Sequence, residues 1–408
     1  MRFVGYCVKA FASCMLAFAA VAHSSEPLPR SQPAAHGIAA ERLRAADELI
    51  ANAIEAGHYL GAVTLIARHG EIVLWQAHGR RELDSPQPLP ADAIFRIYSM
   101  SKPITSVAAL MLMEEGKYRL DDPIGKYLPE MRDLQLRQPA RPIAVRDLFI
   151  HSAGFDLGRE NPARDLRSYV TKLSSVPLAT DPGTRFNYDG VQTVVLSRLI
   201  EVWSGQAFDQ FLQERLFGPL RMHDSGFAVP KDQRHRIAQM TSTDARGRLI
   251  ASPAYAKAVA GEPINPYPSG AGGLYSTAGD YARFCQMLLN GGELDGVRIL
   301  RDQTVDMMMS NQLSHLQPPQ TEFRPGEGFG LGGYVVVDET RRGRLGSVGQ
   351  FGWFGAAGTY FIIDRKEQLV ALLMLQHLPQ GHSQSGVAHD PPKLSAPFYN
   401  RVHQSLIH

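Results

Sequence analysis

Cysteine is scarce in this 408-residue chain, with three in all. Cys7 and Cys14 fall in the first 22 residues, so the remainder holds only Cys285 and forms no internal disulfide. A surplus of either charge is also lacking. Lys and Arg total 42 against 40 Asp and Glu, which gives no strongly basic or acidic surface for nucleic acid or an anionic membrane. No apolar run reaches the ~18 residues that span a bilayer. The 14 histidines include no H-E-x-x-H pair, and one remaining cysteine builds no zinc site. No cofactor or metal is therefore expected. No G-x-S-x-G turn occurs, which removes the α/β-hydrolase type of serine site. Gly270-Ala-Gly-Gly273 lacks the Lys and Ser that follow in a phosphate loop.

The first segment has the layout of an export signal. Arg2 and Lys9 form a basic start, Ala10 to Val21 is apolar and rich in small residues, and Ala20-Val21-Ala22 is an A-x-A cleavage site. The expectation is a signal over 1–22, a Pro/Ser-rich linker over 23–37, and a mature chain that is periplasmic or secreted.

Beyond it, Ile38 to His58 carries apolar residues at helical spacing through Leu43, Ala46, Leu49, Ile50 and Ile54. Gly61 to Arg68 and Glu71 to His78 read as strands joined by a tight turn at His69-Gly70. From Lys117 to about Pro266 the pattern becomes short helices and long polar loops, with helices over Val191–Trp203 and Ala207–Leu216 and no evident strand pair. Strands return at Tyr334–Val337, Gly358–Asp364 and Leu369–Leu375. Cys285 lies in an apolar helical stretch with Tyr281, Phe284, Met287 and Leu288, where it reads as a packed thiol. Strands at both ends with helices between them predict an α/β + α architecture. The sheet domain is discontinuous (38–116 and 267–408), with a helical domain (117–266) inserted.

The densest chemical signal is Phe95-Arg-Ile-Tyr-Ser-Met-Ser-Lys-Pro103. Ser99 falls at or near a helix start, where backbone N–H groups favour developing negative charge. Lys102, three residues on, shares its helical face and can approach the Ser99 hydroxyl. A serine hydroxyl needs a base to become a nucleophile. Lys102 is one candidate, and Tyr188, on the loop Asp181 to Gly190 that leads into the next helix, can share the task. The stretch Gly349 to Gly358 is too rich in glycine for a plain core strand. It reads either as a bulged sheet edge or as the exposed strand whose N–H groups complete an oxyanion hole with that of Ser99.

Several motifs in sequence order carry a resemblance. They are Ser99-Met-Ser-Lys102, Leu148-Phe-Ile-His-Ser-Ala-Gly154, Pro182-Gly-Thr-Arg-Phe-Asn-Tyr188, Ser269-Gly-Ala-Gly-Gly-Leu274, Met287 to Leu294 and Gly352-Trp353-Phe-Gly355. From about Ile38 to Gln376 the chain resembles the serine β-lactamase-like superfamily, in its class C-like branch of family VIII carboxylesterases. The resemblance implies the β-lactamase/penicillin-binding-protein-like transpeptidase fold, an antiparallel sheet flanked by helices. It also implies Ser99 as the acylated nucleophile, Lys102 and Tyr188 as the proton-handling pair, and the Ser99 and Ala356 N–H groups as the oxyanion hole. His151 is then expected as a turn or core histidine rather than a base.

Two departures stand out. Position 190, where the family pattern Y-x-N ends in asparagine, is Gly190, so an amide that would reach substrate or Lys102 is missing. The K/H-T-G strand motif is replaced by Trp353-Phe354-Gly355, and Phe354 departs even from the W-G-G form of related esterases. A β-lactam or peptidoglycan stem carries a carboxylate that K-T-G side chains bind, whereas Trp353 and Phe354 suit an uncharged, apolar partner. Arg341, Arg342 and Arg344 are the cations that would restore such a contact. The expected activity is hydrolysis of small carboxylic esters. A β-lactamase, D-alanyl-D-alanine-type peptidase or acyltransferase is the alternative, and a catalytically silent binder of cell-wall fragments a further one.

Overall fold

The first strand, β1 (Gly61–Arg68), is buried at seven successive positions after Gly61. A strand shows no in-out alternation when both faces of its sheet are covered. Here α1 (Ala40–Glu55) turns Leu43, Ala46, Ile50 and Ala53 inward on one side. The chain reverses at His69 and Gly70, whose φ angles of 53° and 85° are those a tight right-twisting hairpin requires, and returns as β2 (Glu71–Gly79). The computed structural model describes residues 27–132, 134, 141–155, 163–255, 258–379 and 390–407. The expected export signal lies outside them.

Two short elements then lead to the motif that carries Ser99. These are β3 (Phe95–Arg96) and α2 (Ser101–Glu114), separated by a 3₁₀ turn over Tyr98–Met100. Every residue of α2 from Ser101 to Leu112 is buried. The middle of the chain supplies α3 (Val145–Phe149), α4 (Leu166–Leu173), α5 (Val191–Ser204) and α6 (Phe208–Leu212), with α2 packed on α5. This region is not wholly helical. β4 (Thr241–Thr243) pairs with β5 (Leu249–Ala251), and Thr241 also bridges to His377 beyond the main sheet. Three-residue strands with Thr, Ser and Ala leave too little periodicity to be read from sequence.

The C-terminal part continues with β6 (Tyr275–Ser276), α7 (Ala278–Leu289), β7 (Glu293–Leu294), β8 (Val297–Arg298) and α8 (Asp302–Met308). It ends with β9 (Glu327–Phe329), β10 (Tyr334–Val336), α9 (Glu339–Arg342), β11 (Phe351–Phe354), β12 (Thr359–Asp364), β13 (Leu369–Leu375) and α10 (Ser395–Gln404). The main sheet has seven strands in the order β2-β1-β13-β12-β11-β10-β9, every pair antiparallel. β1 and β13 are neighbours in register from Ala62↔Leu375 to Arg68↔Leu369, so the two ends of the chain are joined at the sheet's heart. α1 and α10 pack on each other beside the sheet, and α7 lies against β1, β12 and β13.

Within the 23–37 stretch expected as a linker, residues 28–31 dock on the edge of the sheet. Leu28 is buried, the Ser31 N–H donates to the Ile72 carbonyl of β2 at 2.9 Å, and the Ile72 N–H donates to the Pro29 carbonyl at 2.7 Å. Backbone pairing at a sheet edge needs no particular side chains, which is why a Pro/Ser-rich composition concealed it. Cys285 is fully buried in α7, as the apolar spacing predicts. Among the described residues no helix is long and apolar enough to cross a membrane.

Candidate active site

The turn from β3 into α2 is made at Tyr98, whose φ of 44° is left-handed and uncommon for a side chain with a Cβ. The turn is pinned from two sides. The Ile97 N–H donates to the Leu274 carbonyl at 3.0 Å, and the Met100 N–H to the Ile97 carbonyl at 3.0 Å. Ser99 follows, half-buried, at the head of the helix that carries Lys102.

Lys102 is 3% exposed and donates two hydrogen bonds, to Ser99 Oγ at 3.0 Å and to the Ala271 carbonyl at 2.7 Å. The Ala271 contact could not be anticipated from side chains, because the acceptor is backbone. The loop that presents it, Ser269 to Gly273, fits because position 270 has no side chain. A Cβ on Gly270 would collide with the hydroxyls of Ser197 and Thr105. Those hydroxyls bond the loop instead: Gly270 N–H donates to Ser197 Oγ at 3.2 Å, and Thr105 Oγ1 donates to the Gly270 carbonyl at 3.0 Å.

Tyr188 comes from the loop before α5. Its ring centre is 4.9 Å from Lys102 Nζ, and its phenol oxygen accepts the Trp353 indole N–H at 3.2 Å. Buried Gln192, in the first turn of α5, ties the loop down. Its Nε2 donates to the Asn187 carbonyl at 3.1 Å and to Asp189 Oδ2 at 3.2 Å, while its Oε1 accepts the Ala153 N–H at 2.9 Å. Gln192 reads as an ordinary polar helix residue in the sequence, with no signal of this role. Burial pushes the Asp189 carboxyl up to about 6, against the hydrogen bonds from Gln192 and Val191 and the nearby Lys102 charge.

His151 is 1% exposed and sits with its ring 4.6 Å from that of Tyr188 and 5.4 Å from that of Phe329. Burial, helped by the Lys102 charge, holds its imidazole well below the usual histidine range and therefore neutral. Its carbonyl accepts the Asn187 N–H at 2.7 Å. It is the turn and packing residue that its sequence context implies.

On the opposite wall, β11 and β12 are joined by a turn over residues 355–358. The Gly358 N–H closes it onto the Gly355 carbonyl at 3.1 Å. Gly355 lies against the backbone leading to Ser99. A Cβ there would collide with the Ile97 carbonyl oxygen and the Thr359 hydroxyl. Ala356 is exposed at the turn, and neither its N–H nor that of Ser99 has a hydrogen-bond partner among the described residues. β11 packs on the Tyr98–Met100 turn, so the strand that leads into the Ala356 turn lies beside the segment that carries Ser99.

The strand's side chains differ from the apolar pocket wall expected of them. Trp353 is 2% exposed, and its polar edge faces Tyr188, so it serves as a hydrogen-bond donor inside the wall. Phe354 is half-buried, with its ring centre 4.8 Å from that of Trp353 and 6.0 Å from that of Tyr360. The Arg324 guanidinium lies 5.5 Å from its ring centre. The arginines expected as substitute cations are engaged elsewhere: Arg341 with Glu322 at 3.1 Å, and Arg342 with Glu327 at 3.0 Å, where Arg344 also pairs. Gly190 caps α5 with an ordinary φ of −84°, and a Cβ there would meet only the Ala271 side chain, at 3.5 Å. Among the described residues no three His, Cys, Asp or Glu side chains gather as metal ligands.

Comparison with known proteins identifies the family and the fold. The β-lactamase family model matches residues 46–388, and the chain belongs to that family. A protein of Mycobacterium tuberculosis, Rv1367c, is 34% identical over 361 residues, covering 80% of this chain and 88% of its own. Esterase EstB of Burkholderia gladioli is 27% identical over 369 residues, covering 83% and 91%. Among solved structures, EstCE1, described as a hydrolase with promiscuous acyltransferase activity, superposes with a TM-score of 0.73 at 23% identity, covering 90% of this chain and 99% of that one. The fold is thus the antiparallel sheet with flanking helices of the β-lactamase and transpeptidase type.

Proposed function

We propose that this protein is an exported serine hydrolase that cleaves small carboxylic esters through an acyl-enzyme on Ser99. The observation that carries the reading is Lys102 Nζ 3.0 Å from Ser99 Oγ, with the Tyr188 ring beside it and the Tyr188 phenol held by Trp353. Ser99 Oγ attacks the ester carbonyl carbon while its proton passes to the Lys102–Tyr188 pair. The negative oxygen of the tetrahedral intermediate rests between the N–H groups of Ser99 and Ala356. Collapse breaks the bond to the alkoxy oxygen, which leaves as alcohol with the proton returned by the pair. Water then attacks the acyl carbon, loses a proton to the same pair, and releases the carboxylic acid and free Ser99.

An ester is favoured over a β-lactam because the strand that would hold a carboxylate offers Trp353 and Phe354, while Arg341, Arg342 and Arg344 are paired with glutamates. The direct test is Ser99→Ala assayed on p-nitrophenyl butyrate. Loss of activity in a correctly folded protein is expected, and retention of full activity overturns the mechanism. Turnover of a chromogenic cephalosporin measured beside the ester decides the substrate class, and a strong preference for the cephalosporin overturns the ester reading. Intact-mass detection of a fluorophosphonate adduct on Ser99 excludes a silent binding protein. Export is tested by the N-terminus of the secreted chain, expected after Ala22.

A further inference from the structure

The residue three before Ser99 is a buried cation with no anion. Arg96, in β3, is 4% exposed. Its Nη2 donates to the Glu262 carbonyl at 3.2 Å and to the phenol of Tyr275, and its guanidinium lies 4.4 Å from the Tyr275 ring centre and 5.2 Å from that of Tyr255. Its Nη1 is buried with no hydrogen-bond partner, and no carboxylate pairs with Arg96 among the described residues. The Glu262 carboxylate is taken by Arg234. Other buried arginines of this chain are matched: Arg68 by Glu367, Arg283 by Asp295 and Arg342 by Glu327. A buried charge normally has such a partner, because taking it out of water alone is costly.

Arg96 lines a cavity of about 330 Å³, a size typical of small-molecule sites. The walls are mostly apolar, with Ile237, Met240 and Pro253 among them, and the two other charged side chains in the lining are paired, Glu82 with Arg81 and Arg234 with Glu262. Ala251 and Val259 stand at an exposed rim, Val259 with 61% of its surface open. Tyr255, whose phenol bonds that of Tyr98 beside Ser99, forms one side. An apolar chamber with one unmatched cation in its lining suits a ligand with an aliphatic body and a single negative end. We propose that this cavity binds a small aliphatic carboxylate, its anionic end toward Arg96 and its tail along the Ile237–Met240 wall. The proposal does not rest on Ser99 being a nucleophile.

The experiment is calorimetric titration of the full chain with octanoate and, separately, with 1-octanol, which has the same tail and no charge. Saturable octanoate binding at least about tenfold tighter than that of octanol is expected. Ala251→Trp, a change at an exposed rim position, fills the chamber and should weaken octanoate binding at least about tenfold while leaving the melting temperature and turnover of p-nitrophenyl butyrate in place. Arg96→Met should abolish the preference for octanoate over octanol. Since Arg96 also packs on two tyrosines and that variant can fail to fold, Ala251→Trp is the deciding protein. Absence of saturable octanoate binding, equal binding of octanoate and octanol, or binding untouched by Ala251→Trp overturns the proposal.

Discussion

The indole N–H of Trp353 is donated to the phenol oxygen of Tyr188 across 3.2 Å, joining β11 to the loop before α5. One wall of the site thereby holds the phenol, presented by the other, to which the proposed mechanism gives proton transfer. Trp353→Phe keeps most of the ring packing and deletes only the donor. A hydrogen bond to a group that gains charge contributes roughly 1.5–3 kcal/mol, so kcat on p-nitrophenyl butyrate should fall about tenfold to a hundredfold with KM nearly unchanged. Combining it with Tyr188→Phe should add little further loss, since both changes remove one interaction. Full additivity in that cycle would show that the contact does not act through Tyr188.

Gly190 marks the place where a family asparagine is missing, and the structure leaves room for one. With φ at −84° and only Ala271 nearby, Gly190→Asn should fold with stability within about 0.5 kcal/mol of the parent. The new amide would lie beside the Ala271 carbonyl that Lys102 already uses. The expected outcome is a rise in cephalosporin turnover relative to ester turnover, measured on the two substrates in parallel.

Gly270 is the opposite case. Its Cβ would strike the Ser197 and Thr105 hydroxyls that hold the loop, and neither can swing away without losing its bond. Gly270→Ala should cost about 1–3 kcal/mol, seen as a lower melting temperature. Activity should fall as well, because the Ala271 carbonyl moves off Lys102.

Asp189 gives a pH signature. Its carboxyl is pushed up to about 6 in the folded chain, against about 3.9 when unfolded. The folded state holds the proton more tightly, so its stability is greatest below the unfolded value, declines as pH rises between the two, and is level above. Asp189→Asn copies the protonated form. It should melt like the parent near pH 3.5 and above it from about pH 6, by a margin of about 1–3 kcal/mol. A margin independent of pH would contradict the assignment.

The sequence shows the parts of this molecule whose physics resides in side chains. Alternation and apolar runs mark β1, β2, β12 and β13, and helical spacing marks α1, α5 and α7. Residue type and order point to Ser99, Lys102 and Tyr188, and the structure gathers them. What stayed hidden depends on backbone or on distant partners. Residues 28–31 dock through main-chain bonds to Ile72, and β4 and β5 are too short to show a period. The Ala271 carbonyl has no residue signature, and Gln192 gains its role only where two loops, one with Ala153 and one with Asn187 and Asp189, meet at α5. The sequence context of Trp353 points to its apolar surface, whereas its indole N–H makes the contact with Tyr188.

The pairing of β1 with β13 has a kinetic consequence. Ala62 and Leu375 are register partners although some three hundred residues separate them, and β13 in turn aligns β12 and β11. The wall that faces Ser99 therefore cannot be in place until the last main-sheet strand has been made and has found the first. Helices such as α5 close through near neighbours and form early, whereas this loop closure over most of the chain comes late. On refolding from denaturant, helical signal should return well before turnover of p-nitrophenyl butyrate. Chain that has left the ribosome without residues 369–375 should be inert whatever helices it has formed.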